Sequence, residues 1–154
     1  MKKVIGIVCC IVIIIGIAFC FMPKTYVIAT DDSFNPFCYL DGKGNPIGFD
    51  IDIINAIAEQ QNMRIEILPV GLLDGMEAVQ SGKADGMIAA LIPSDDMMAK
   101  FDFSDMYYNN EYAFAVKKGS KGKLLKKFNE GLSAIIESGK YDEIYQEHFG
   151  AIEE

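Results

Sequence analysis

From Thr25 onward the apolar positions change period several times, and each change marks an element. Tyr26–Thr30 is rich in β-branched and aromatic residues and reads as a short strand. Cys38-Tyr39-Leu40 and Ile47-Gly48-Phe49 flank Asp41–Pro46, a stretch with the turn chemistry of a small hairpin. Ile51, Ile54, Ile57 and Ala58 then recur at helical spacing, with Asp50 placed as N-cap and Asp52 beside it at the positive end of the helix dipole. Arg64–Leu68 alternates, as a strand with one exposed face does. Leu72, Met76 and Val79 form a second helical stripe that Gly82 closes, and Gly86–Leu91 is an unbroken apolar run suited to a strand covered on both faces.

Beyond that run the pattern is less regular. Ser94 is placed to cap a short helix, Asp95–Lys100, that ends at Asp102-Phe103-Ser104. Tyr112–Val116 reads as a strand reaching Lys117 and Lys117–Lys123 as a basic connector, and the Lys117–Lys127 cluster reads first as a solvated hinge and second as a contact for acidic headgroups. Leu124, Leu125, Phe128, Leu132, Ile135 and Ile136 keep helical spacing to Gly139, and Tyr141, Ile144, Tyr145 and Phe149 mark a last short helix. Strands alternating with helices predict an α/β fold with right-handed crossovers and a mainly parallel sheet flanked by helices.

The N-terminus departs from all of this. Met1-Lys2-Lys3 precedes Val4–Met22, nineteen residues without a charge or a proline. Such a run is long enough to span a bilayer, and the two lysines would hold the N-terminus in the cytoplasm. Three readings stay open: an uncleaved membrane anchor, which comes first; a cleavable signal, although no Ala-x-Ala site follows; and a lipoprotein signal ending at Cys20, although Phe19 precedes it where a small residue is required. All three put the remainder outside the cytoplasm. The expected division is a membrane or signal segment over 1–24, one domain over 25–150, and a tail over 151–154.

Charge narrows the partners. Residues 25–154 carry 11 basic against 22 acidic side chains, which argues against nucleic acid and anionic lipid as partners of the domain. Cys38 is the one cysteine beyond the apolar run, so the domain has no internal disulfide, and it reads as a small half-buried side chain. His148 is the only histidine, and with no second histidine or ligand-spaced cysteine it reads as a packing or surface residue. Asp31-Asp32 and Asp95-Asp96 read as caps or solvated charges rather than an acid–base pair. No cofactor and no nucleophile–base pair is indicated, so the chain does not read as an enzyme.

Five motifs in order then resemble one family. Ala29–Phe37, Gly48-Phe49-Asp50-Ile51-Asp52, Ser81–Asp85, Asp102-Phe103-Ser104 and Gly139–Tyr145 through Phe149-Gly150 are similar to the amino-acid-type solute-binding proteins of ABC transporters, which have the type II periplasmic binding fold. The resemblance implies a single lobe of that fold, with the second lobe missing between about 112 and 124. It also implies a ligand-facing set of Asp31, Phe34, Leu72, Ala89, Ile92 and Met97. Ile92 stands where the family pattern has a threonine, and Met97 where it has an arginine, the pair that grips a ligand α-carboxylate. Replacing both leaves an entering carboxylate without a partner, so tight amino-acid binding is not expected. The implied function is membrane-associated import of amino acids or other small solutes, with a small solute and an ABC permease as partners. The alternative is an interaction or sensory module that has lost its ligand. Met97, Met98 and Met106 read first as gap-fillers over the sheet and second as a surface for loosely specified apolar contacts, and a homodimer over the exposed apolar side is a further expectation.

Overall fold

The computed structural model describes residues 24–109, 111–120 and 122–150. The apolar run Val4–Met22 and the tail 151–154, on which the anchor, signal and tail expectations fall, lie outside the described residues.

Strand β1 (Thr25–Thr30) leads into a three-stranded ribbon of β2 (Ser33–Phe34), β3 (Cys38–Leu40) and β4 (Pro46–Ile47). Helix α1 (Phe49–Gln60), β5 (Arg64–Pro69), α2 (Leu72–Ser81) and β6 (Gly86–Leu91) follow. A single turn, α3 (Asp95–Met98), precedes β7 (Phe101–Tyr108) and β8 (Tyr112–Lys117), and α4 (Gly122–Glu137) and α5 (Lys140–Phe149) complete the chain.

The main sheet has the order β5-β1-β6-β8-β7. β1 is parallel to β5 and β6, whereas β8 is antiparallel to both β6 and β7. The expected α/β lobe is present, and its sheet is mixed rather than mainly parallel. The reason is β7. Asp102-Phe103-Ser104, expected to end a helix, lies inside this eight-residue strand, and the strand folds back onto β8 where the Tyr108 carbonyl accepts from Glu111 N–H, with Tyr108 opposite Tyr112. Its apolar alternation is hidden because the register against β8 slips between Phe103 and Met106. Ser104 fills that slip: its hydroxyl accepts from Phe114 N–H at 2.9 Å and donates to the Asp105 carbonyl at 2.7 Å. Asp102 fastens the far end, accepting from Gly119 N–H at 2.7 Å and pairing with Lys118 at 2.8 Å, contacts that hold its carboxyl below the usual range.

The core lies between the sheet and α1, α4 and α5. Ile53, Ile54 and Ile57 of α1 are fully buried, as are Phe114 of β8 and Phe128 of α4, whose rings stack at 4.7 Å. Each such side chain contributes about 1.5–3 kcal/mol over leaving it in water. Helices α1 and α4 approach closely enough that a Cβ on Gly131 would lie 2.7 Å from Ile57 Cγ2. The other face of the sheet carries α2, of which Gly75, Ala78 and Val79 are buried while Leu72 is exposed. The predicted stripe of Leu72, Met76 and Val79 is therefore turned partly outward. Gly82 ends the helix in the left-handed region as expected, and Ser94 caps α3 by accepting from Met97 N–H at 3.4 Å.

Candidate functional site

In a sheet of this kind the carboxyl ends of parallel strands, where the loops turn away, are the natural place for a ligand. β1 and β6 end side by side here. Asp31 and Phe34 follow β1, Leu72 opens α2, Ala89 and Ile92 come from the end of β6, and Met97 from α3. All six residues expected to face a ligand line one open hollow of about 310 Å³. Met76, Ala90 and Leu91 complete it; they lacked a signal of their own, although the helical spacing from Leu72 reaches Met76. Phe34, Leu72 and Ile92 form an exposed apolar rim, at 44%, 41% and 56% of full exposure. The lining is a phenyl ring, aliphatic groups, two thioethers and one carboxylate, with no cation.

Asp31 is already engaged. Its Oδ1 accepts from the Asp32 and Ser33 N–H groups and from the Ser33 hydroxyl, at 2.7 to 3.1 Å. These bonds shape the turn that carries Phe34 to the rim, where its ring stacks on Phe37 at 5.4 Å.

The floor is set by a group that the sequence pattern misplaces. Asp50 does not cap α1: Gly48 occupies the N-cap, and Asp50 is fully buried. Its carboxylate reaches across to the end of β6, accepting from Ala90 N–H at 2.8 Å and from the Tyr107 hydroxyl at 2.9 Å. Burial pushes the carboxyl from an ordinary 3.8 up to about 6, and the two hydrogen bonds work against that rise. The buried Tyr107 hydroxyl, facing this carboxylate, is pushed well above its usual value. Ala90 sits at φ 48°, in the region that side-chain-bearing residues avoid. Asp50 and Tyr107 thus pin the bend at which β6 leaves the sheet, and with it the positions of Ala89, Leu91 and Ile92.

Elsewhere the chemistry is quiet. Cys38 is completely buried rather than half-buried, and burial, with Asp50 nearby, pushes its thiol up to about 12. His148, on the last turn of α5, lies 2.6 Å from Asp52 on the first turn of α1 and docks one helix on the other. Among the described residues no cluster of three or more His, Cys, Asp or Glu is arranged for a metal ion, and no helix is long and apolar enough to cross a membrane. A second hollow, of about 430 Å³, lies between α2 and β5 and includes none of the expected residues.

Known proteins match this arrangement. The family described as bacterial extracellular solute-binding proteins, family 3, matches residues 26–151. Among curated relatives, the chain is 37% identical over 98 residues to a protein of Neisseria gonorrhoeae named "Probable histidine-binding protein", covering 64% of this chain and 37% of that protein. It is 30% identical over 139 residues to the amino-acid-binding protein AabA of Dichelobacter nodosus, covering 87% and 55%. The chain therefore spans about half the length, or less, of the curated relatives it matches. Among solved structures, substrate-binding domain 2 of Lactococcus lactis GlnP in its open conformation superposes with a TM-score of 0.81 at 21% identity, over 86% of this chain and 99% of that one.

Proposed function

Because the chain belongs to the bacterial extracellular solute-binding proteins, family 3, we propose that it serves ABC-type import of amino acids or related small solutes as a single extracytoplasmic lobe held at the membrane through residues 4–22. In this reading its hollow takes no solute by the α-carboxylate. One observation carries the reading: the hollow has Ile92 and Met97 in its wall and offers Asp31 as its only charged group. A carboxylate entering it would lose water, gain no cation and meet a like charge, an unfavourable exchange of several kcal/mol. Neutral or cationic apolar molecules suit the same wall. An ABC permease is the expected protein partner.

The other lobe of the two-lobed relatives belongs, in this reading, at the β7–β8 turn, just before the 112–124 stretch that the sequence suggested. The turn joins strands that pair directly through Tyr108 and Tyr112, which leaves no crossing segment between them. Alone, this lobe buries a ligand on one side only.

Thermal unfolding of the chain in detergent, titrated with amino acids and with their decarboxylated amines, tests the reading. No rise in Tm with millimolar amino acids is expected, because a ligand stabilises only by binding the folded state. A saturable rise with any α-amino acid would overturn it.

The exposed rim of Phe34, Leu72 and Ile92 favours one second reading, an interaction module without a solute. Silence of the chain toward every solute, together with photo-crosslinks from Ile92 to an envelope protein, would shift the conclusion there.

A further inference from the structure

The fold sorts the charges of an acidic chain by end. Where the hollow opens, the β1–β2 connection carries Asp31 and Asp32, with Asp74 on the first turn of α2 and Asp52, paired with His148, on the first turn of α1. At the opposite end each connection brings a cation. Lys24 precedes β1, Arg64 opens β5, Lys83 lies between α2 and β6, and Lys100 precedes β7. The β8–α4 connection adds exposed Lys117, Lys118 and Lys123. Acids accompany these cations: Asp85 is paired with Lys24 at 2.9 Å and Asp102 with Lys118 at 2.8 Å, Glu59 stands on the last turn of α1, Glu66 follows Arg64, Asp95 and Asp96 lie about a turn from Lys100, and Lys83 shares a hollow with Asp74 and Glu77. A hollow of about 220 Å³ at this end is lined by Lys24, Tyr26, Asn62, Met63, Lys123 and Lys127. It adjoins the start of α4, whose first turn carries no acid. From this same end the sequence runs through Pro23 into the apolar stretch Val4–Met22.

We propose that the basic end is a foot that lies against the anionic phospholipid headgroups of the membrane and stands the domain upright. The proposal rests on residues 4–22 being a membrane anchor, as in the function proposed above. Lys24 is two residues from the apolar run, at most about 7 Å of extended chain. The foot is then within about one Debye length of the lipid surface, where its charges are felt and those of the far end are screened. An acidic domain would otherwise be repelled by such a surface. Sorting its charges makes one orientation attractive and the reverse one repulsive. Upright, the domain turns its hollow away from the bilayer, so a permease in the same membrane meets its flank and the hollow receives what arrives from outside.

Hydrogen–deuterium exchange of the full chain in lipid nanodiscs tests this. In discs containing anionic phosphatidylglycerol, amides of residues 62–64 and 117–120 and of the first turn of α4 should exchange about threefold or more slowly than in zwitterionic discs, with 0.5 M salt erasing the difference. The double variant Lys117→Glu and Lys123→Glu should erase it too, while β6 and α1 keep their protection and report an intact fold. Equal exchange in the two lipids overturns the proposal even where the chain resists alkaline carbonate washing. Release of the chain by that washing overturns the anchor, and with it the upright placement.

Discussion

Asp50 shows how a single residue links the core to the hollow. Its folded-state carboxyl titrates near 6 against an ordinary 3.8, so as pH rises the unfolded chain gives up this proton first. The group's favourable contribution is full below about pH 3.8 and falls away as pH climbs to about 6, by about 3 kcal/mol in all. Chemical denaturation followed by circular dichroism from pH 4 to 7 should show this loss, and Asp50→Asn should flatten it. A slope unchanged by the substitution would assign the pH dependence to other groups. Asparagine keeps an acceptor for Ala90 N–H, and the Tyr107 hydroxyl can rotate to accept from its amide. Tyr107→Phe removes a donor from a buried carboxylate and should cost about 1–3 kcal/mol in the same measurement at pH 7, with the midpoint of the pH-dependent loss moving upward. None of this was legible in the sequence. Asp50 has the appearance of an N-cap because its structural partners lie 40 and 57 residues away.

Among the elements, those whose identity is written in one period were legible and those fixed by a neighbour were not. α1, β5, β6, α4 and α5 follow their apolar spacing closely. β7 escaped because its inward positions are interrupted by Asp102, Ser104 and Asp105, two of which serve hydrogen bonds rather than the core. Asn109 takes the left-handed region at φ 44° to close the β7–β8 turn, so Asn109-Asn110 was a turn signal in a stretch without glycine or proline. The six residues of the hollow were named by the resemblance to the family and not by any period of their own, and the strand ends bring them together. The entry to α1 depends on Gly48, at φ 124°, where a Cβ would run into the Phe37 carbonyl oxygen. Gly48→Ala should therefore destabilise the chain by about 2–4 kcal/mol, read as a drop in denaturation midpoint. Helix α5 is held by Phe149, whose ring lies 5.1 Å from Phe49, 5.2 Å from Tyr108 and 5.4 Å from Phe37. Phe149→Ala should cost about 2–4 kcal/mol and raise amide exchange selectively in α5; uniform acceleration would show that the helix unfolds only with the whole.

At the scale of the molecule, one end of the sheet is acidic and holds the hollow, while the other is basic and joins the apolar N-terminal stretch. Composition averages such sorting away, so the net acid charge that argues against lipid and the proposed foot make opposite predictions for the exchange measurement above. The β7–β8 turn has a consequence for engineering. Tyr108 and Tyr112 face each other across a ladder, so the chain leaves and re-enters the sheet within about 5 Å. A guest protein whose own termini lie that close, spliced in place of Asn109–Glu111, would load neither strand and disturb no hydrogen bond of the core. Such a chimera should melt within a few degrees of the parent. A circularly permuted fluorescent guest there would sit beside Tyr145 and Phe149, which lie 6.1 and 5.2 Å from Tyr108, and its brightness would report any movement of the last helix.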